Sequence, residues 1–163
     1  MPAHRRFLLA AAVAAIAVFA PATAGAQAPS CPCSVFTPTD APTGGLVADS
    51  PIEVGMKFRS AQAGYITALR FYKQPGNSGT HVGHLWSSTG QQLAEATFTD
   101  ETASGWQEQL LTTPVQITAD TTYVVSYHSS QGRFSSSQHA FDSAITRAPL
   151  TAPANGTEGG NGV

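Results

Sequence analysis

Two histidines three residues apart are the first candidates for chemistry in this chain of 163 residues. His81 and His84 form an H-x-x-H pattern, and imidazole nitrogens are common zinc ligands. The surrounding residues alternate as in a strand, where side chains three apart point to opposite faces. We therefore expect the two histidines not to share a metal ion, and we expect His81 to close the 74–80 loop by hydrogen bonding.

Asp49 and Glu53 are carboxylates near enough in sequence to contribute to a calcium site, because calcium prefers oxygen ligands. Only these two are local, so the other ligands would have to be carbonyl groups or distant residues. The alternative is that Glu53 forms an ion pair with Arg59 or Arg70. No cofactor is predicted apart from this weak calcium option.

No grouping in the sequence indicates catalysis. Glycoside hydrolysis requires two carboxylates facing each other across a cleft, and the candidates are Glu53, Glu95, Glu101 and Glu108. Nothing in their spacing places any two of them together. The turn at 76–79 contains a serine but lacks the strand-to-helix elbow that exposes a nucleophile. We therefore predict a protein without catalytic residues.

Aromatic residues supply the main binding candidates, which are Trp86, His84, Tyr72 and Trp106. A flat aromatic face stacks on a sugar ring while neighbouring polar groups bind its hydroxyls. The alternative is that the tryptophans are core residues, as most tryptophans in strands are. Trp86 is the better ligand candidate, because it alternates with His84 while Leu85 takes the opposite face.

Cys31 and Cys33 are the two cysteines of the chain, and only Pro32 separates them. Disulfides persist outside the cytoplasm, so a bond between them is an option. A local clip is the preferred interpretation, and a redox pair or a tether to another chain are the alternatives. Two thiols alone cannot complete a zinc site with four ligands.

The elements that position these residues are predicted to be strands. Apolar and polar residues alternate with a period of two from Ile52 to Arg59, as in a half-buried strand. Similar runs follow at Tyr65 to Lys73, Val82 to Ser87, Leu93 to Phe98, Trp106 to Leu111, Val115 to Ile117 and Tyr123 to His128. Such spacing predicts an all-β, antiparallel β-sandwich of jelly-roll or immunoglobulin-like type.

Two local patterns refine this prediction. The spacing from Ile117 to Tyr123 is that of a tyrosine corner, in which the tyrosine hydroxyl returns to the upstream backbone. Strict alternation in the second strand places Tyr65 on the same face as Leu69 and Phe71. The first pattern predicts a stabilising hydrogen bond, and the second predicts that Tyr65 faces the same way as the apolar residues after it.

The ends of the chain differ in composition from the strand-rich middle. Residues 1–28 have a basic start, an apolar stretch and small residues before the expected cleavage point, as in a secretory signal. Residues 29–50 are expected to be a Pro/Thr/Ala-rich leader with one edge strand at most. Residues 51–148 form the predicted sandwich, and 149–163 are either an unstructured tail or a truncated continuation of it. The mature protein is predicted to be secreted, without a membrane span.

Charge excludes one class of partner. The chain has eight Lys and Arg against ten Asp and Glu, with a formal net charge of −2 and no basic run. Nucleic-acid binding depends on clustered basic residues that neutralise phosphates. A nucleic-acid partner is therefore not expected, whereas a polysaccharide or a neighbouring domain of a longer protein is compatible with this composition.

Several motifs together resemble the bacterial family catalogued as domain of unknown function 4082. They run from PIEVGMKF at 51–58 and GYITALRFYK at 64–73 through GTHVGHLWS at 79–87 to YVVSY at 123–127. The resemblance covers about residues 34 to 163. It implies a β-sandwich module of exported proteins, often joined to glycan-active or immunoglobulin-like domains, with no activity to carry over. It also implies a truncated domain that lacks one or two C-terminal strands.

Two functional hypotheses follow. The first is an exported, non-catalytic module that binds extracellular or cell-wall glycan through exposed aromatic residues. The second is a structural spacer or assembly module without a small ligand, with its aromatic residues all buried. The exposure of Trp86 and Trp106 beside a polar groove separates the two hypotheses.

Overall fold

The computed structural model describes residues 31–157 and 160–161, so the predicted signal segment 1–28 lies outside the described residues. The described part consists of strands and loops. The ten strands are β1 (Leu46–Ala48), β2 (Ile52–Ser60), β3 (Gly64–Lys73), β4 (His81–Ser87), β5 (Gln92–Thr97), β6 (Gly105–Ile117), β7 (Thr122–Ser129), β8 (Arg133–Ser135), β9 (Ile145–Arg147) and β10 (Leu150–Ala152). Among the described residues, none belongs to a helix long and apolar enough to span a membrane.

The strands form antiparallel sheets that pack against each other. The large sheet has the order β5-β4-β7-β2-β10-β9, and two smaller sheets pair β3 with β6 and β1 with β8. Neighbouring strands in these sheets run antiparallel to each other. The prediction of an all-β, antiparallel sandwich is therefore confirmed.

The core lies between the large sheet and the β3–β6 sheet. Leu85 of β4 is fully buried, and Leu69 and Phe71 of β3 are 2% and 3% exposed. Gly83 also belongs to this interface, because a Cβ atom there would lie 2.9 Å from a methyl group of Leu69. The expected inward orientation of Leu85 is confirmed.

A register shift in β3 changes the face of one predicted residue. The pairing of β3 with β6 is irregular between Ile66 and Ala68, as at a β-bulge. Across this irregularity β3 advances by two residues while β6 advances by five, from Val115 to Leu110, and an odd difference reverses the alternation of one strand relative to the other. Tyr65 is consequently 63% exposed, whereas Phe71 is buried. The prediction that Tyr65 shares the face of Phe71 is wrong for this reason.

The predicted tyrosine corner is present. The hydroxyl of Tyr123 accepts a hydrogen bond of 3.0 Å from the backbone N–H of Thr118. Tyr123 itself is buried, 7% exposed, and its ring lies against that of Phe58. The hydrogen bond therefore joins the β6–β7 connection to the core.

The segments on either side of the central strands also contain ordered structure. Strand β1 lies in the predicted leader and pairs with β8, while Cys31 and Cys33 form the expected local disulfide. Strands β9 and β10 extend the large sheet beside β2, so part of the segment 149–163 continues the domain. Asn161 is 8% exposed, and its amide accepts from the Lys57 N–H at 2.7 Å and donates to the Pro153 carbonyl at 2.7 Å.

Candidate functional site

The structure divides the four predicted binding residues between two surfaces. Trp86 and His84 lie on the outer face of the large sheet, opposite the face that carries buried Leu85. Tyr72 and Trp106 are cross-strand neighbours in the β3–β6 sheet. The two pairs therefore cannot contact one small ligand together, and each surface has to be considered by itself.

A polar network holds Trp86 on the outer face, which we call the Trp86 surface. The indole Nε1–H donates a hydrogen bond of 2.8 Å to Oγ of Ser126 in β7. The Ser126 hydroxyl in turn donates to Oε1 of Glu53 in β2, at 2.5 Å. Because β4, β7 and β2 are adjacent strands, the network crosses the middle of the large sheet and fixes the orientation of the indole.

His84 connects two carboxylates on the same surface. Its Nδ1 lies 2.8 Å from Oε1 of Glu53, and its Nε2 lies 3.5 Å from Oε2 of Glu95 in β5. His128 of β7 lies on the other side, 3.7 Å from Oε2 of Glu53. The His84 ring is also 5.2 Å from the Trp86 ring, so the aromatic side chain has polar groups directly beside it.

A shallow depression of about 370 Å³ lies next to Trp86. Its lining residues are Glu53, Trp86, Ser87, Ser88, Gly90, Val124 and Ser126. The side chain of Glu53 is 36% exposed and that of Glu95 is 55% exposed, so carboxylate oxygens remain accessible to a ligand. The surface therefore offers an aromatic face next to several hydrogen-bond acceptors.

The contacts of Ser126 differ from those of an activated nucleophile. In a catalytic triad the serine hydroxyl donates to a histidine, which takes its proton. Here Ser126 donates to the carboxylate of Glu53, and His84 contacts the same carboxylate. The three residues form a branched network on one acid, which fits a positioning role for Ser126.

The two calcium candidates lie in different surroundings. Asp49 follows β1, and its Oδ1 accepts a hydrogen bond of 2.7 Å from the N–H of Ser50. Glu53 contacts two histidines, and Arg70, one of the two arginines considered as its partner, pairs instead with Glu108 at 3.4 Å. Across residues 31–157 and 160–161, no three His, Cys, Asp or Glu side chains group as metal ligands.

The histidines of the H-x-x-H pattern point to opposite faces, as expected. His81 is fully buried, and its Nε2 lies 2.9 Å from Oδ1 of Asn77. Asn77 belongs to the 74–80 loop, so the prediction that His81 closes this loop is confirmed. The other nitrogen, Nδ1, lies 2.9 Å from a carboxylate oxygen of Glu101.

Trp106 and Tyr72 hold the leader segment against the β3–β6 sheet. The Trp106 ring stacks on Phe36 at 5.7 Å, and Tyr72 approaches it edge-on at 5.5 Å. The guanidinium of Arg70 lies 4.8 Å from the Trp106 ring, as in a cation–π contact. Trp106 Nε1–H donates to the Asp40 carbonyl at 2.7 Å. Trp106 is thus contacted by protein groups on several sides.

Asp40 fixes the turn that leads to this contact. Its Oδ2 accepts a hydrogen bond of 2.7 Å from the Thr37 N–H. That backbone hydrogen bond lowers the pKa of Asp40 below its ordinary value, with a smaller contribution from nearby Arg147. The Asp40 carboxylate therefore stays ionised to a lower pH than an ordinary aspartate. It lies where the leader contacts Trp106.

A second concavity, which we call the inter-sheet cleft, has a volume of about 740 Å³. Met56 of β2 and Tyr127 of β7 line it from the large sheet, and Phe71 and Tyr72 line it from β3. Burial raises the pKa of Tyr127 to about 12. The phenol in this cleft is therefore neutral at physiological pH.

The raised pKa gives a testable pH dependence. Below about pH 10 the Tyr127 phenol is neutral in the folded and the unfolded chain, so its contribution to stability is complete. Between pH 10 and 12 the unfolded chain releases this proton first, and stability falls as pH rises. Ultraviolet titration of folded protein should show one phenol ionising near pH 12 that is missing in Tyr127→Phe. Identical high-pH titrations of the two proteins would contradict the assignment.

Sequence reasoning missed the residues that connect the Trp86 surface. Ser126 and His128 lie in a mainly apolar segment, and Glu95 was considered only as a catalytic acid. Their grouping follows from register, which places Ser126 opposite both Gly55 and His84. Two polar residues at alternate positions of β7, Ser126 and His128, were the available signal, but alternation within one strand does not identify the partner strand.

The architecture defines an antiparallel β-sandwich with one polar aromatic surface and one inter-sheet cleft. The chain belongs to the family described as Domain of unknown function (DUF4082), whose model matches residues 37–163. This agrees with the resemblance seen in the sequence motifs. No curated protein and no solved structure matches the chain.

Proposed function

We propose that the protein is a non-catalytic module that binds glycan at the Trp86 surface. The observation that carries the proposal is the position of Trp86, which lies partly exposed beside a depression that Glu53 and Ser126 also line. Sugar rings present apolar C–H faces that pack on aromatic side chains, and hydroxyl groups that require hydrogen-bond partners. The surface offers both kinds of contact within one small area.

The fixed orientation of Trp86 supports binding. Its hydrogen bond to Ser126 and its contact with His84 restrict the indole before any ligand arrives. A side chain already ordered in the free protein loses less entropy on binding. The proposed platform is therefore preorganised.

The charges beside Trp86 favour a ligand without acidic groups. Glu53 and Glu95 present accessible carboxylates, which accept hydrogen bonds from hydroxyl groups and repel other anions. We expect neutral or amino sugars to bind better than uronic or sialic acids. Tyr72 and Trp106 are not part of this proposed site, because they lie on the other sheet and contact the leader.

We propose also that the protein acts outside the cytoplasm after removal of residues 1–28. The basic and apolar pattern of that segment supports export. Mass spectrometry of protein recovered outside the cytoplasm should find a chain beginning near Pro29. An exported chain that retains Met1 would contradict the proposed cleavage.

Polysaccharide retention tests the binding proposal. The wild-type protein should be retained by at least one neutral or amino-sugar polysaccharide on a glycan array or in a pull-down. Trp86→Ala should weaken that binding about 30-fold or more, because removing a central aromatic anchor costs about 2 kcal/mol or more. Affinity electrophoresis or calorimetry with the retained polysaccharide provides the measurement.

Tyr65→Ala is the matched control, because Tyr65 is an exposed aromatic residue on the other sheet. Its binding should equal that of the wild type, whereas Glu53→Gln should weaken binding without unfolding the protein. Equal retention of Trp86→Ala and wild type would refute the site. If folded wild-type protein is retained by no polysaccharide, the role of a structural spacer or assembly module is favoured instead.

A further inference from the structure

Strand β3 has one free edge within the part of the chain that the structure describes. Its ten residues pair with β6 on one side, and the β3–β6 sheet contains only these two strands there. In a strand, alternate residues direct their N–H and C=O groups to opposite sides. About half of the backbone groups of β3 therefore point away from β6, and such an edge can accept another strand.

The inter-sheet cleft lies along this edge. Its lining includes Phe71, whose side chain points into the core. Its lining also includes Tyr72 and Trp106, which lie on the opposite face of the β3–β6 sheet. A concavity that reaches both faces of a two-stranded sheet passes around an edge or an end of that sheet, and this one is lined by three residues of β3 but by Trp106 alone from β6, which places it on the β3 side. The consecutive lining residues 70–72 place the cleft at the C-terminal part of β3.

The charged side chains of the cleft are already matched by opposite charges. Arg70 lies 3.4 Å from Glu108, and Arg147 lies 3.7 Å from Asp40. His139 lies 3.2 Å from Asp142. An ionic ligand would have to displace one of these partners, so the cleft fits an occupant that is uncharged where it enters.

A buried hydroxyl group in the cleft lacks a hydrogen-bond partner among the described residues. It belongs to Ser135 of β8. Buried hydroxyls normally have partners. An occupant with hydrogen-bonding groups as well as apolar ones would satisfy it.

We propose that the inter-sheet cleft accepts an extended segment of another polypeptide chain, which pairs with the free edge of β3. Its backbone would bond to β3, and uncharged apolar side chains at alternate positions would pack among Met56, Phe71 and Tyr127. This mode of recognition uses main-chain hydrogen bonds for affinity and side-chain pockets for specificity. A purely apolar small molecule would leave both the strand edge and the Ser135 hydroxyl unpaired. This proposal does not depend on glycan binding.

Four synthetic peptides of about seven residues test the proposal. Each alternates threonine with one apolar residue, which is valine, isoleucine, phenylalanine or tryptophan. At least one should bind the full chain, with amide hydrogen exchange slowing at alternate residues of β3. If none binds at about 1 mM, or if protection appears elsewhere, the proposal is refuted.

Backbone methylation provides a matched pair of peptide controls. In a bound peptide, the amides of alternate residues face β3, and the remaining amides face away from it. Methylating the amides that face β3 should weaken peptide binding about tenfold or more. Methylating the other amides should leave peptide binding nearly unchanged. Equal effects of the two sets would exclude strand pairing.

Two protein variants separate the cleft from the rest of the surface. Met56→Lys places a charge in the cleft and should weaken peptide binding about tenfold or more. Leu110→Lys places the same charge at a side chain that is 67% exposed, and binding should be unchanged. Thermal unfolding checks that both variants fold.

Discussion

Replacing His81 with leucine is expected to lower the free energy of unfolding by about 3 kcal/mol. Leucine fills part of the volume but offers no hydrogen bond, so Asn77 and Glu101 would each lose a partner at a buried site. Glu101 would retain its contact with Lys73 at 2.7 Å, which limits the loss. The substitution should therefore destabilise the protein strongly and leave the strands in place.

His84→Leu is the matched control for this prediction. It makes the same chemical change three residues further along β4, but on the outer face, where its carboxylate partners Glu53 and Glu95 have side chains that are 36% and 55% exposed. Its cost should stay below about 1 kcal/mol. Urea denaturation of the two variants measures the difference. Similar losses of stability would show that the two histidines do not occupy different faces of the sheet.

Phe71→Ala is expected to lower the free energy of unfolding by about 3–5 kcal/mol. The Phe71 ring lies 4.5 Å from that of Tyr127, 4.7 Å from that of Phe98 and 4.7 Å from that of His81. Removing it leaves a cavity where both sheets meet. Three aromatic contacts would be lost together, so we expect a cost in the upper part of that range.

Tyr65→Ala, on the same strand, should change stability by less than about 1 kcal/mol. Strict alternation would bury both aromatic rings and predict similar costs, whereas the bulge between Ile66 and Ala68 separates them. Comparing the two variants by chemical denaturation therefore tests the bulge as well as the core. Large losses for both would support uninterrupted alternation.

Local alternation was sufficient to predict the long strands. The predicted segments from Ile52 to His128 correspond to β2 through β7, with boundaries that differ by a few residues. Two predicted strands, 106–111 and 115–117, are one continuous strand, β6. Alternation works here because each strand has one buried face and enough residues to show a period.

The short strands could not be predicted in the same way. Strands β1, β8, β9 and β10 have three residues each, which is too few to establish a period of two. Their pairing depends on partners distant in sequence, such as Val47 with Phe134. Contacts of this kind are set by the three-dimensional arrangement of the sheets and leave little trace in one sequence.

The candidate site was predictable only in part. Trp86 and His84 were identified because their residue types suit sugar recognition and alternation places them on one face. The contribution of Ser126 and the pairing of Glu53 with His84 required the register of three strands. Tyr72 and Trp106 were named as candidates by residue type alone, which does not specify the sheet on which a side chain lies, and the structure places both of them in the β3–β6 sheet.

Strand β7 contributes to both surfaces described above. Ser126 points to the Trp86 surface, and the next residue, Tyr127, lines the inter-sheet cleft from the opposite face. Occupants of the two surfaces would therefore lie on opposite sides of a single β-strand and would not obstruct each other. Under the two proposals made above, the protein would act as a cross-linker, with a saccharide polymer on one side of β7 and a partner chain on the other.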